Sequence, residues 1–285
     1  MAVAGRNQDA SARRDQHLFR SADDVGRSCA PACHTGRLPA RSSFCPERIP
    51  LLHVVPGLKV FYFGTPVVLI STRNEDGTAN LAPMSSTWWL GDCCMLGLGN
   101  SGQTTANLLR EGECVLNLPS SAMVDVVDRI ALTTGRIQVP EHKVVQGYRY
   151  EPEKFKLAGL TEQSSELVSA PRVAQCPIQL ECRLISSQPF GVPEPHATAF
   201  QVEILRAHVD DELLVPGTHH VNPLAWDPLI MKFCEFFGGG TNVYPSRLAT
   251  SWNMPPITNL PNPVVDRSPR EVSTTDNGCE VLTAS

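Results

Sequence analysis

Apolar and polar positions fall into a regular pattern only beyond Leu51, and Pro66 marks the entry to the first convincing strand. Val67-Val68-Leu69-Ile70-Ser71-Thr72 is β-branched and apolar enough for a buried strand. Asn74-Glu75-Asp76-Gly77 follows, and Asp-Gly between two strand-like runs signals a hairpin. The return strand, Thr78 to Ser86, contains Pro83, which cannot donate to a ladder, so the strand is irregular there or lies at an edge. Trp88 and Trp89 come next. Neighbours on a strand point to opposite faces, so one enters the core while the other meets a ligand, a partner subunit or water.

Cys93 to Leu98 predicts a third strand, 104–111 a short helix ended by Gly112, and Cys114 to Leu118 a fourth strand stopped by Pro119. Ala122 to Leu132 reads as an amphipathic helix, with Met123, Val126, Val127 and Ile130 on one side and Asp125, Asp128 and Arg129 on the other. Residues 135–165 carry a mixed pattern, read as loop with one short helix near 151–157. From Ile178 the chain alternates over eight residues, the mark of a half-buried strand. Ala199 to Val209 alternates less cleanly, and Asp210-Asp211 offers a turn into a further strand at Leu213-Leu214-Val215. Met231 to Phe237 reads as a buried helix. The fold class expected from this order is mainly β with short helices, as a mostly antiparallel barrel with helical covers. Residues 1–50 read as a disordered or loosely ordered tail, 51–254 as the folded domain and 255–285 as a flexible tail.

Composition narrows the classes. A net charge of −5 over 285 residues gives no general basic footprint for nucleic acid. No apolar run approaches the roughly 18 residues of a membrane span. Residues 1–50 lack the apolar segment of a secretory signal, and Asp9, Asp15, Asp23, Asp24 and Glu47 argue against a mitochondrial presequence despite eight arginines. Ten cysteines are too few for a disulfide scaffold and fit a reducing compartment, so the chain is read as cytoplasmic. Cys29-x3-Cys33-His34 has no second ligand pair, vicinal Cys93-Cys94 reads as two buried thiols, and His219-His220 reads as a loop pair. No metal site is expected.

The stretch with most chemistry is Asn80 to Asn107. Gly97-Leu98-Gly99-Asn100-Ser101-Gly102 matches the dinucleotide fingerprint, but its strand follows a hairpin, its helix is short, and no carboxylate ends the next strand. The phosphate-cradling physics survives that objection. Backbone N–H groups at a helix start lack intrahelical partners, the dipole makes that end electropositive, and serine and threonine add donors. Helix capping and turn chemistry offer the competing explanation for these hydroxyls.

Several of these runs together resemble a known family. Gly64 to Thr72, Asp76-Gly77, Asn80-Leu81-Ala82-Pro83-Met84-Ser85-Ser86, Asn107 to Pro119, Gly159-Leu160-Thr161 and Cys176 to Cys182 are similar to the flavin reductase-like, FMN-binding split-barrel proteins, over about residues 58–250. The resemblance implies a split β-barrel homodimer with FMN near the subunit interface. It also implies hydride transfer from NADH or NADPH to flavin, with a monooxygenase as a possible recipient of reduced flavin. Carried over by position, Ala82, Pro83, Met84, Ser85 and Ser86 line the isoalloxazine and ribityl chain, and Asn100, Ser101, Thr104 and Thr105 hold the phosphate. Many relatives carry a basic residue within 100–105. Here Gln103 and two threonines stand there, so the phosphate relies on neutral donors. The cofactors carry the hydride chemistry, and no general acid or base is assigned. The alternative is an FMN-binding electron-transfer or interaction protein without reductase activity.

Overall fold

The computed structural model describes residues 53–244 and 246–255; the two tails and the Cys29, Cys33 and His34 group lie outside the described residues. The first strands are β1 Phe63–Pro66, β2 Val68–Arg73, β3 Ala79–Met84, β4 Thr87–Leu90 and β5 Cys93–Gly99. Helix α1 Gln103–Glu111 and β6 Glu113–Leu118 follow. A 3-10 turn at Ser121–Met123 leads into α2 Val124–Arg129, which then stops three residues short of the expected end at Leu132. The loop-rich stretch holds β7 Thr133–Thr134, α3 Glu141–Val145, β8 Arg149–Tyr150, α4 Lys154–Ala158, β9 Glu162–Gln163 and β10 Arg172–Val173. Two long strands, β11 Ile178–Phe190 and β12 Ala197–Val209, precede β13 Ile230–Lys232, β14 Glu235–Phe237 and α5 Arg247–Ser251. The chain is mainly β with short helices, as its pattern predicts.

Seven strands form one sheet in the order β3-β2-β6-β11-β12-β5-β4, and every pair in it is antiparallel. The two edge strands, β3 and β4, are consecutive in sequence and joined by Ser85 and Ser86 alone. Two residues span little, so the sheet curls until its edges approach each other at this link. Pro83 sits on edge strand β3, where a missing N–H costs no ladder bond.

Curling gives the sheet an inside and an outside, and β2 is buried on both. Val68 and Ile70 join Leu96, Leu116, Phe200 and Val202 inside. Val67 and Leu69 face outward into a second cluster with Leu81, Val127, Ile130 and Phe155, where α2 and α4 cover the sheet. Continuous β-branched sequence with no polar alternation is what such a strand needs. Of the vicinal pair, Cys94 is buried and Cys93 half-buried. Burial pushes the Cys94 thiol up to about 11. The loop pair His219-His220 lies between Thr218 and Val221 with no regular structure beyond a bridge of Leu214 to Val221.

Three expectations are corrected. Met231 to Phe237 forms a β-hairpin, β13 to β14, in place of a buried helix. Its two turn residues, Phe233 and Cys234, have φ of 50° and 69°, and left-handed backbone at both central positions matches strand twist in a two-residue turn. The Phe233 N–H donates to the Tyr62 carbonyl at 2.7 Å, and its ring meets Phe63 edge-on, which holds the unusual turn. Leu213 to Val215 is no strand; Asp210 caps a 3-10 turn, Asp211–Leu213. Finally, β11 is not half-buried at its start. Gln179 and Glu181 are buried as fully as their apolar neighbours, because the segment carrying β9 and β10 covers the face on which they stand.

Candidate functional site

Helix α1 begins where β5 runs out. Gly102 is its N-cap, extended at φ −80° and ψ 148° and with no side-chain cap, and Gly112 ends it in the left-handed region at φ 69°. The first N–H groups are therefore left to whatever approaches them. Thr105 is buried, and its hydroxyl donates to the Gly99 carbonyl at 2.8 Å, folding the turn. Thr104 is buried too, but its hydroxyl accepts from Asn80 Nδ2 at 3.0 Å, which leaves its own proton to give. Asn100 serves the β11–β12 hairpin tip: its N–H donates to the His196 carbonyl, and its Oδ1 accepts from the Thr198 hydroxyl at 2.8 Å. Ser101 is half-buried and faces a cavity.

The second predicted group lies along edge strand β3 and the link beyond it. Ala82, Pro83 and Met84 are half-buried, Ser85 is buried, and the Ser86 carbonyl accepts from the Gly97 N–H at 2.8 Å. Tyr62 reaches the Ser86 hydroxyl at 3.3 Å. Asn80, at the other end of the same strand, touches Thr104. At about 3.3 Å per residue, Ala82 to Met84 run from roughly 7 to 13 Å beyond it along the strand, and Ser85 and Ser86 follow in the link. Asn80 thus ties the helix start to the near end of β3, while Ala82 to Ser86 continue toward the β3–β4 link, and none of those five lines the cavity at the helix start.

Beneath the helix start lies a buried polar network that the sequence does not announce. Asn80 Nδ2 donates to Thr72 and Thr104, and Asn107 Nδ2 donates to Thr72 and Asn74. Asn80 Oδ1 accepts from the Lys154 ammonium at 3.3 Å. Gly135 passes so close that a Cβ there would stand 2.7 Å from Asn80 Oδ1, so only glycine fits beneath this amide. A cavity of about 1030 Å³ opens over the network, lined among others by Asn80, Ser101, Gln103, Arg136, Tyr150 and Lys154. Lys154 is 3% exposed. Burial, helped by Lys143 and opposed by Glu151, lowers its ammonium from the usual 10.5 to about 8. In the sequence this lysine stands in the charged run Glu151-Pro152-Glu153-Lys154, within the short helix expected near 151–157. Among the described residues, no group of three or more His, Cys, Asp or Glu could hold a metal ion.

A folded-state pKa below the unfolded one means that the charged form costs stability, fully below pH 8 and not at all above 10.5. Lys154→Met should therefore be more stable than the parent near pH 7. That advantage should shrink by on the order of 3 kcal/mol as pH rises from 8 through 10.5. Denaturant titrations of both proteins across that range check it. The comparison cancels the buried cysteines, which titrate in both. A gap constant with pH would contradict the assignment.

Comparison with known proteins follows the same residues. The profile of the flavin reductase like domain matches residues 60–233. An uncharacterized protein of Bacillus subtilis, YdfE, is 39% identical over 186 residues, covering 65% of this chain and 88% of that protein. Among solved structures, a flavoredoxin from Methanosarcina acetivorans superposes with a TM-score of 0.56 at 21% identity, over 71% of this chain and 100% of that one. Nitrilotriacetate monooxygenase component B from Bacillus cereus does so with a TM-score of 0.55 at 19% identity, over 68% and 98%. The fold is thus shared with these two solved structures, and the family match spans the curled sheet, the start of α1 and the buried network. The chain belongs to the flavin reductase-like domain family.

Proposed function

We propose that this protein is an NAD(P)H-dependent flavin reductase that binds FMN and passes hydride from NADH or NADPH to it. The observation that carries the reading is the alignment of an open helix start with edge strand β3, bridged by the Asn80–Thr104 bond. An elongated molecule with its anionic tail at the helix start would extend along β3, and the cavity beside the helix start has room for the tail. The N–H groups at the start of α1, with Ser101 and Thr104, would hold the phosphate, while Asn100 and Thr105 fix the turn. Ala82, Pro83, Met84, Ser85 and Ser86 would line the isoalloxazine and ribityl chain. FMN supplies a two-electron acceptor for hydride; the chain supplies binding, orientation and exclusion of water.

The reading includes a homodimer. Trp88 is 58% exposed and Leu90 76% exposed on edge strand β4, an apolar edge suited to a second copy, whereas Trp89 packs against the interior cluster. A monooxygenase that uses reduced flavin is the partner class in view, and the cytoplasm the compartment. Among the described residues no helix is long and apolar enough to cross a membrane.

Fluorescence titration with FMN and with riboflavin tests the site. FMN should bind at least about tenfold tighter, because charge-assisted bonds to its phosphate are worth about 1.5–3 kcal/mol each before water competes. Equal affinity for the two flavins, or binding of neither, would contradict it.

A further inference from the structure

We propose that Tyr62 is a positioning residue for the flavin ring: its phenol fixes the Ser86 hydroxyl, which then donates to the polar edge of the isoalloxazine. The inference rests on the flavin reading above and adds a side chain outside the stretch read as lining the ring. Of that stretch, Ala82, Pro83 and Met84 carry no side-chain donor. Ser85 and Ser86 do. Among the described residues, Ser86 is the one of the two whose hydroxyl has a side-chain partner, Tyr62 Oη at 3.3 Å.

The backbone at Ser86 is already clamped. Its carbonyl accepts from the Gly97 N–H at 2.8 Å. A Cβ at Gly97 would stand 3.3 Å from the Ser86 Cβ, so glycine there lets the link lie against β5. What remains free is the serine hydroxyl, which turns to suit its partner. The phenol is the stronger acid of the two hydroxyls, so it donates to Ser86 Oγ and leaves the serine proton to give. A donor that itself accepts is strengthened in such a chain. Tyr62 and Ser86 are both half-buried, within reach of a ligand yet partly shielded from water.

The hold on Tyr62 comes from a strained turn. Its carbonyl accepts from the Phe233 N–H at 2.7 Å. Phe233 and Cys234 are the left-handed turn residues of the β13–β14 hairpin, and asparagine and glycine would make such a turn without strain. A bulky residue in that region is an outlier, and outliers of this kind collect where a ligand is held. The Phe233 ring stands 5.1 Å from that of Phe63, the neighbour of Tyr62, so the turn grips the segment that aims the phenol.

The polar edge of the ring accepts hydrogen bonds, and it is where hydride uptake adds negative charge. A donor fixed there in advance stabilises that charge without reorganising.

The test compares the parent, Tyr62→Phe, Ser86→Ala and the double variant, with melting curves for all. Tyr62→Phe should weaken the grip on reduced relative to oxidised FMN by about tenfold, which lowers the midpoint potential of the bound flavin by about 30 mV for a two-electron couple. The kcat should fall by about tenfold while KM for NADH or NADPH stays within about threefold. FMN and riboflavin affinities should change alike, because the phosphate is untouched. In the Ser86→Ala background the Tyr62 substitution should move the potential no further, because Tyr62 acts through Ser86. An unchanged potential in Tyr62→Phe, or an undiminished shift in the Ser86→Ala background, would overturn the assignment. If Tyr62→Phe does not melt cooperatively, Ser86→Ala is judged by the same shift. A parent protein that binds neither flavin would overturn the flavin reading itself. A parent that binds FMN beside an unaffected Tyr62→Phe overturns only the role of Tyr62.

Discussion

Replacing Ser101 by Asp is expected to weaken FMN binding by about two to three orders of magnitude, with riboflavin affinity within about threefold of the parent. Ser101 immediately precedes the N-cap Gly102 and lines the cavity. A carboxylate there would stand roughly 4 Å from a phosphate held at the helix start. At an effective dielectric constant near 20, each pair of unit charges at that separation repels by about 4 kcal/mol, and 1.4 kcal/mol is tenfold in affinity. Folding should respond in the other direction. An acidic side chain before a helix stabilises it by about 0.3–1 kcal/mol through the dipole. Loss of FMN with an unchanged or raised melting temperature would therefore isolate the phosphate contact. Ser101→Asn, similar in size and neutral, is the control and should keep FMN within about tenfold. Equal losses for both flavins in the Asp variant would place the phosphate elsewhere.

The largest expected loss of stability is that of Glu181→Ala, about 3–5 kcal/mol. Glu181 is fully buried on β11. Its carboxylate accepts from the N–H groups of Glu166 and Leu167 at 3.0 and 2.6 Å. His208 Nε2 lies 2.7 Å away and Arg172 Nε 3.9 Å. Alanine would leave two N–H groups and the positive side of Arg172 without their acceptor inside the fold. The segment they hold also anchors the sheet, since the Ser71 hydroxyl donates to the Pro171 carbonyl and the Ser169 N–H to Glu113. Glu181→Gln keeps the shape and one acceptor, so it should lose less. Denaturant midpoints at unchanged slope measure both. A loss below about 1 kcal/mol for alanine would show that water replaces the carboxylate and that the covering segment is held by other contacts.

How far these elements could be read in advance follows from how local their causes are. The β2–β3 hairpin is legible because Asp76 makes its own turn: Oδ1 accepts from the Thr78 N–H at 3.0 Å and its hydroxyl at 2.6 Å, which also lowers the Asp76 carboxyl. Helix α1 is legible because Gly112 stops it, and Pro83 announces an edge strand. The β13–β14 hairpin is not. Its turn residues are Phe233 and Cys234, without glycine, asparagine or aspartate, and Tyr62 and Phe63 hold them from far along the chain. Glu181 reads as a solvent-facing position because alternation cannot say that a later segment covers that face. Lys154 hides for the same reason. Nothing beside it in sequence shows that Asn80, at a separation of 74 residues, will be its partner. The hydroxyl-rich turn was visible in the sequence, but only the structure reveals which of its side chains are already engaged: Thr105 with Gly99, and Asn100 with the tip of the long hairpin.

Hydride transfer from nicotinamide to flavin is the activity proposed for this chain. Its most direct test is to mix the purified protein, FMN and NADH or NADPH without oxygen and follow the visible absorbance of the flavin. Bleaching should proceed at a rate proportional to protein and well above the uncatalysed rate, and should be lost in Ser101→Asp at FMN concentrations that saturate the parent. Tight FMN binding with no bleaching by either nicotinamide would contradict it and leave a flavin-binding protein that serves electron transfer or interaction alone.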